Sequence, residues 1–335
     1  MIVVLPLEPL EIRYTQDWKI QFPRELEKWK MVVDYKVVDG EPLTTKIEVG
    51  SVLDTLGTHH WKFTQMARLI KLMHQGVVKS SDTLLFADLW SPGIEALQYI
   101  SNMGGARPAI TGILHAGTWD DNDFLVRQGL RPIFHPIEQS WLNMFDKVFL
   151  GSRYHKNLIL DSHTVDENKL IVTGLPFYPK DFYRERPRYK NLIVFPHRLD
   201  AEKHPEQFDE LMKRHPELRS SKTAEHFTTK KHYYNELASA SIAVSCATQE
   251  TFGYAMMEAT ALGCIPLVPN RLSYKELYPE VFRYNTLFEL EEKMVEMVKN
   301  RGKYVENLKN LQNTHESRGD LAIHTMIREI TTINS

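Results

Sequence analysis

Short apolar runs separated by longer amphipathic stretches recur through the first half of the chain, at residues 2–7, 83–89, 110–114, 147–151 and 169–174. Runs of this length alternating with helical-period segments predict parallel strands joined by crossover helices, an α/β architecture. Residues 31–38 break the rhythm: they close on Asp39-Gly40, a pair that favours a tight turn, and predict a β-hairpin insertion after the first strand. A second series follows, with strands at 192–196, 242–246 and 265–268 and helices at about 205–214 and 254–262. Residues 289–310 are helical by pattern, and a last helix over about 320–330 is expected to pack back across the linker.

The 335 residues exceed what one core usually organises, so two domains of roughly 150 to 180 residues are expected. The stretch after Gly174 holds three prolines, at 176, 179 and 187, among charged and aromatic residues without period, and reads as the linker between them. This places a first domain at residues 1–178, a second at 179–318, and a returning C-terminal helix at 319–335. The two halves then read as two similar α/β domains.

Apolar residues at 42% and charged residues at 25% are ordinary globular values, and no run nears the roughly twenty apolar residues that span a bilayer. The first residues, without a basic lead, suit a strand better than a secretion signal. Cys246 and Cys264 sit in apolar, strand-like segments, which points to burial rather than a disulfide and to a reducing compartment. A cytoplasmic protein without a membrane partner is the expectation. The net charge of −2 excludes a globally basic nucleic-acid binder, so any such contact needs a local patch.

The chemistry-bearing residues gather in the second half, where loops leave strand ends and helix N-termini offer free N–H groups. Pro196-His197-Arg198-Leu199-Asp200-Ala201-Glu202-Lys203 carries two cations five residues apart. Arg198 can grip two phosphate oxygens with its planar fork, and Lys203 adds a point charge. Gln249-Glu250-Thr251-Phe252-Gly253 leads into a helix holding Glu258, eight positions after Glu250. Gly253 lets backbone approach a phosphate, Glu258 can accept both hydroxyls of a ribose, and Glu250 would face a sugar.

This pattern, Glu-x7-Glu with Phe252-Gly253 inside it, preceded by Arg198 and Lys203 and followed by Gly263-Cys264-Ile265-Pro266, resembles the retaining GT-B glycosyltransferases related to sucrose and glycogen synthases. Phe195-Pro196-His197-Arg198 with Lys203-His204-Pro205-Glu206, and the stretch through Tyr274-Lys275-Glu276, are similar to the tRNA-queuosine mannosyltransferase branch. The resemblance implies a donor diphosphate held by Arg198 and Lys203, the ribose by Glu258, the sugar hydroxyls by Glu250, and amides near Phe252 and Gly253 completing the site. It also implies a catalytic histidine at a first-domain strand end, for which His115 is the candidate. An α/β fold of two Rossmann-like domains with a deep cleft between them, catalysis without a metal or other cofactor, and a UDP-sugar donor belong to the same expectation.

The first half departs from that pattern. No glycine-rich loop follows the first strand; Glu8, Glu11, Arg13, Tyr14, Asp17 and Trp18 stand there instead. With Trp119-Asp120-Asp121-Asn122-Asp123-Phe124 it is more similar to phage-encoded relatives that decorate hydroxymethylated DNA bases. The acceptor implied first is a hydroxymethylpyrimidine in phage DNA, then tRNA queuosine with a GDP-mannose donor, then a lipid or glycan. Asp120, Asp123 and Trp18 are the candidate acceptor contacts. A simpler role for Asp123 is capping a helix over 122–128. Lys180, Arg184, Arg186, Arg188 and Lys190, interleaved with Phe182, Tyr183 and Tyr189, fit either a nucleic-acid groove or a solvated linker. Arg153, His155, Lys156, Lys230 and Lys231 are further possible phosphate contacts. A catalytically inactive nucleotide-binding scaffold is the alternative of another class.

Overall fold

The computed structural model describes residues 1–10, 15–16, 18–31, 34–43, 55–104, 107–226 and 229–333; Glu11, Arg13, Tyr14 and Asp17 lie outside the described residues. The chain divides into two compact units, one of Met1–Gly174 with Leu321–Ser335 and one of Leu175–Asp320.

The first unit is built on a six-stranded sheet of β1 (Ile2–Leu5), β2 (Tyr35–Val37), β3 (Thr83–Phe86), β4 (Ala109–Ile113), β5 (Lys147–Leu150) and β6 (Leu170–Val172), in the order β2-β1-β3-β4-β5-β6. All neighbouring pairs are parallel. Strands covered by helices on both faces need apolar side chains on both, and that is why β1, β3, β4 and β5 are nearly continuous apolar runs. Val3, Leu84, Ile110 and Val148 are fully buried with Leu69, Leu142 and Phe145 around them.

The expected hairpin is not formed. Between β1 and β2 the helix Trp18–Lys28 makes a crossover, so β2 pairs parallel to β1, with Ile2 opposite Tyr35 and Val4 opposite Val37. Val32 and Val33 of that stretch lie outside the described residues. Asp39-Gly40 is instead a packing junction. A Cβ on Gly40 would sit 2.2 Å from the carbonyl oxygen of Trp61, and Arg68 donates to the Asp39 and Gly40 carbonyls at 2.8 and 3.0 Å. The glycine is there for close approach to the helix Thr55–His74, not for a turn between strands.

The second unit holds a five-stranded parallel sheet of β7 (Leu192–Phe195), β8 (Arg219–Lys222), β9 (Ile242–Val244), β10 (Ile265–Pro269) and β11 (Arg283–Tyr284), ordered β11-β10-β9-β7-β8. β8, Arg219-Ser220-Ser221-Lys222, is a polar edge strand that hydrophobic pattern does not reveal; charge at an edge discourages pairing with other chains. The helix expected over 289–310 is interrupted. Leu287–Lys299 ends before a tight turn over Arg301–Tyr304, where Arg301 donates to the Ser241 and Gly263 carbonyls, and one continuous helix then runs over Val305–Thr331. Cys246 and Cys264 are buried free thiols, both pushed up to about 11 by burial. Among the described residues no helix is long and apolar enough to cross a membrane.

Candidate functional site

In open parallel sheets ligands bind beyond the carboxyl ends of the strands where strand order reverses. In the second unit the chain steps from β7 to β8 on one side and then to β9 on the other, so the reversal lies between β7 and β9. The loops leaving those two strands are the ones that carry Arg198, Lys203 and Glu250.

The structure brings these three together. Lys203, in a short turn over Ala201–Lys203, donates to the Gln249 carbonyl, to Gln249 Oε1 at 3.1 Å and to Glu250 Oε2 at 3.4 Å. Glu250 uses its other oxygen to accept the N–H groups of Thr251 at 3.2 Å and Gly253 at 3.0 Å, at the start of the helix Tyr254–Ala261. Burial alone would push the Glu250 carboxyl up; Lys203, His197 and the Phe252 N–H outweigh it and hold it below the usual range. Arg198 pairs with Asp200 and, at 2.8 Å, with Glu202, and its side chain is 52% exposed. Asp200 and Glu202 lie between the two cations in sequence. They make the local balance two cations against three carboxylates, so Arg198 and Lys203 are not unpaired charges awaiting an anion. Likewise, the amides expected to meet the donor are occupied by the chain's own Glu250.

Gly253 has φ +84°, a left-handed conformation, and a Cβ there would lie 3.1 Å from Tyr274 Cε1. Its freedom makes the sharp entry into the helix. Phe252 is buried with its ring edge-on to Tyr254 at 5.1 Å. Glu258, one turn into the helix, is half-buried and accepts the hydroxyls of Tyr233 at 3.0 Å and Tyr234 at 3.1 Å. Burial pushes its carboxyl up to about 7, against the pull of Tyr233, Lys230 and Tyr234. The two tyrosines come from the helix Lys230–Ser239, and Phe182 stacks on Tyr234 at 4.7 Å. The doubled tyrosine, one helix before the Glu-x7-Glu segment, is the one cue in the sequence.

In the first unit the strand order reverses between β1 and β3. Beyond β3 stands Asp88, which sequence reasoning missed, paired with the buried Lys62 at 2.6 Å. Burial would raise the Asp88 carboxyl, yet Lys62 and His115 hold it below the usual range. Beyond β1 the buried Glu8 accepts the Thr58 hydroxyl at 2.9 Å. His115, beyond β4, donates from Nε2 to the Ala87 carbonyl at 2.7 Å, since a carbonyl can only accept. Trp18, in the first turn of its helix, puts its ring 5.5 Å from that of His115. These two sequence candidates are therefore neighbours.

Asp120 and Asp123 lie in the loop after His115. Asp120 accepts the Asn122 N–H at 2.9 Å, and Asp123 caps the short helix Phe124–Arg127 through the Leu125 N–H at 2.8 Å. The loop is held from beneath by Glu138, which is fully buried: it accepts the Thr118 N–H at 2.6 Å, while Arg131 donates to the Thr118 carbonyl at 2.8 Å and to Asp121 at 2.6 Å. Burial pushes the Glu138 carboxyl up to about 7.

Several basic residues read as phosphate contacts have other work. His155 is buried, its ring tilted against that of Trp119 at 4.6 Å, and burial holds its imidazole down to about 3. Lys156 pairs with Glu167 at 3.0 Å, and Lys180 with Glu316 at 2.6 Å. Arg188 donates to the Ala240 and Leu262 carbonyls and packs on Gly263, so the expected linker is at that point fixed to the second unit.

Known structures share this pair of sheets. Sucrose-phosphate synthase from Thermosynechococcus elongatus superposes with a TM-score of 0.67 over 99% of both chains, at 10% identity. The Anabaena protein HepE in complex with UDP and glucose does so with a TM-score of 0.64 over 99% of both chains, at 13% identity. The chain has the GT-B fold. It also covers 80% of itself and 61% of a chain in the GtfA/B complex, with a TM-score of 0.56 at 12% identity. No family model matches. In sequence, 62 residues, 18% of this chain, are 44% identical to tRNA-queuosine alpha-mannosyltransferase of Drosophila melanogaster, and they span 16% of that protein's length.

Proposed function

We propose that this GT-B chain is a retaining glycosyltransferase that moves a sugar from a nucleoside diphosphate sugar to a hydroxyl on a modified nucleobase. The observation that carries the reading is the gathering of Arg198, Lys203 and Glu250 at the strand-order reversal between β7 and β9, with Glu250 on the N–H groups that lead into the helix Tyr254–Ala261. Donor binding would draw Arg198 from Asp200 and Glu202 onto the diphosphate, Glu250 from the amides onto the sugar hydroxyls, and Glu258 onto the ribose. The acceptor oxygen then attacks the anomeric carbon on the face from which the diphosphate departs. As the bond from that carbon to the β-phosphate oxygen breaks, the phosphate takes the acceptor proton, and Arg198 and Lys203 stabilise the charge it carries away. His115, with Trp18, Asp120 and Asp123, would meet the acceptor side.

A UDP-sugar donor and a 5-hydroxymethylpyrimidine of DNA as acceptor are the first reading, supported by the UDP of the HepE complex and by the character of the first half of the sequence. A second reading, GDP-mannose and queuosine in tRNA, is favoured by the 62-residue match to the queuosine enzyme. The test incubates the protein with UDP-glucose, UDP-N-acetylglucosamine or GDP-mannose and with hydroxymethylated DNA, unmodified DNA or queuosine tRNA, followed by digestion to nucleosides and mass measurement. One added sugar on a hydroxymethylpyrimidine is expected; the same gain on queuosine selects the second reading. Transfer to a lipid or oligosaccharide alone overturns the nucleobase acceptor, and failure to consume any sugar nucleotide leaves the inactive scaffold.

A further inference from the structure

Because Asp200, Glu202 and Glu250 already balance Arg198 and Lys203, an anion arriving at this edge needs neutral N–H donors as well as cations. One buried polar atom there has no partner. His197, the second residue after β7, is 3% exposed, packs edge-on against Phe195 at 5.2 Å, and leaves its Nε2 without a hydrogen bond. Burial holds the imidazole down to about 3, so it is neutral, and Lys203, Glu250 and Arg198 are the charged groups within its electrostatic reach. A buried donor or acceptor left unmade costs about 1–3 kcal/mol, so a bare Nε2 in the middle of a charged cluster points to something that completes it. A second carboxylate would add to an already negative balance.

We propose that His197 is a ligand of the donor's diphosphate, its neutral Nε2–H donating to a phosphate oxygen beside Arg198 and Lys203. This assignment rests on the glycosyltransferase reading and adds to it a residue to which neither the sequence pattern nor the resemblance gives a role. A neutral donor suits this position: it favours the phosphate without adding to the positive charge that Glu250 must leave in order to meet the sugar.

The test is titration calorimetry of the wild-type protein, His197→Phe and His197→Gln with UDP and GDP and with the matching nucleosides, alongside thermal denaturation without nucleotide. His197→Phe removes the nitrogens and keeps an apolar ring, so its melting temperature should match or exceed that of wild type, while affinity for the diphosphate falls about tenfold or more and affinity for the nucleoside stays unchanged. His197→Gln returns an N–H and recovers part of the loss. Unchanged diphosphate affinity in His197→Phe, or equal losses for nucleoside and diphosphate, overturns the assignment while leaving the donor site standing. A wild-type protein that binds neither UDP nor GDP overturns both.

Discussion

The two sheet edges are assembled differently. At the edge of the second sheet, Arg198, Asp200, Glu202, Lys203 and Glu250 come from two loops and each forms an ion pair with another of them, while Glu258, one turn into the following helix, accepts the hydroxyls of Tyr233 and Tyr234. At the edge of the first sheet the groups come from four successive crossovers: Glu8 and Trp18 from β1 to β2, Lys62 from β2 to β3, Asp88 from β3 to β4, and His115, with Glu138 underneath, from β4 to β5. Under the proposed reading the contrast has a reason: a diphosphate is the same in every nucleotide sugar, and a compact loop pair around a helix N-terminus would suffice for it. An acceptor varies, and a site built from many crossovers can vary one segment at a time.

Four results would break or sharpen that contrast. The largest effect is expected in Arg198→Ala, which should lower sugar transfer about a hundred- to a thousand-fold with an unchanged melting curve. A greater loss in His115→Ala would move the chemical burden to the first edge. Next, Glu138→Ala should destabilise the protein to urea by about 2 kcal/mol or more, because the buried Thr118 N–H loses its acceptor, while Glu138→Gln keeps an acceptor oxygen and loses less. Equal and small losses in both would mean the loop after His115 does not depend on this support.

Smaller still is the difference between two left-handed glycines. Gly253→Ala meets both an unfavourable φ and Tyr274 at 3.1 Å, whereas Gly129→Ala, at φ +73° with nothing within 4 Å, meets the φ alone, which costs roughly 1–2 kcal/mol. Gly253→Ala should therefore melt lower than Gly129→Ala. The smallest effect is on pH dependence. The folded state keeps the Glu258 proton up to about pH 7, while a solvated glutamate releases it near 4.5, so the folded protein holds more protons across that window. The contribution of Glu258 to stability thus falls as pH rises from about 4.5 to 7 and stays low above it. Relative to wild type, Glu258→Gln should gain stability over that rise; a pH-independent difference would return the carboxyl to the ordinary range. Glu138 has the same sign, so Glu138→Gln is the matching measurement in the first unit.

Strands buried on both faces wrote themselves into the pattern: β1, β3, β4, β5, β7, β9 and β10 all fall within apolar runs, give or take a residue. Three of the four edges did not: β2 is partly exposed, β8 is polar, and β11 is two residues long, so none of them repeats an apolar period. Asp39-Gly40 misled because a glycine required by close packing and a glycine required by a turn are the same letter.

At the candidate site, Arg198, Lys203, Glu250, Gly253 and Glu258 were legible from residue type and spacing, since adjacent loops of a parallel sheet bring short segments of chain to one edge. The sequence by itself therefore determined the α/β class, the two series of strands, and the segments whose chemistry matters. Only the tertiary structure decided how those charges are balanced: that Asp200 and Glu202 hold Arg198, that Tyr233 and Tyr234 reach Glu258, that Lys62 answers Asp88, and that Nε2 of His197 is buried without a partner. Residue type states what a group can donate or accept. Which partner it meets depends on distances set by strand order and helix placement, and electrostatic interactions change steeply over those few ångströms.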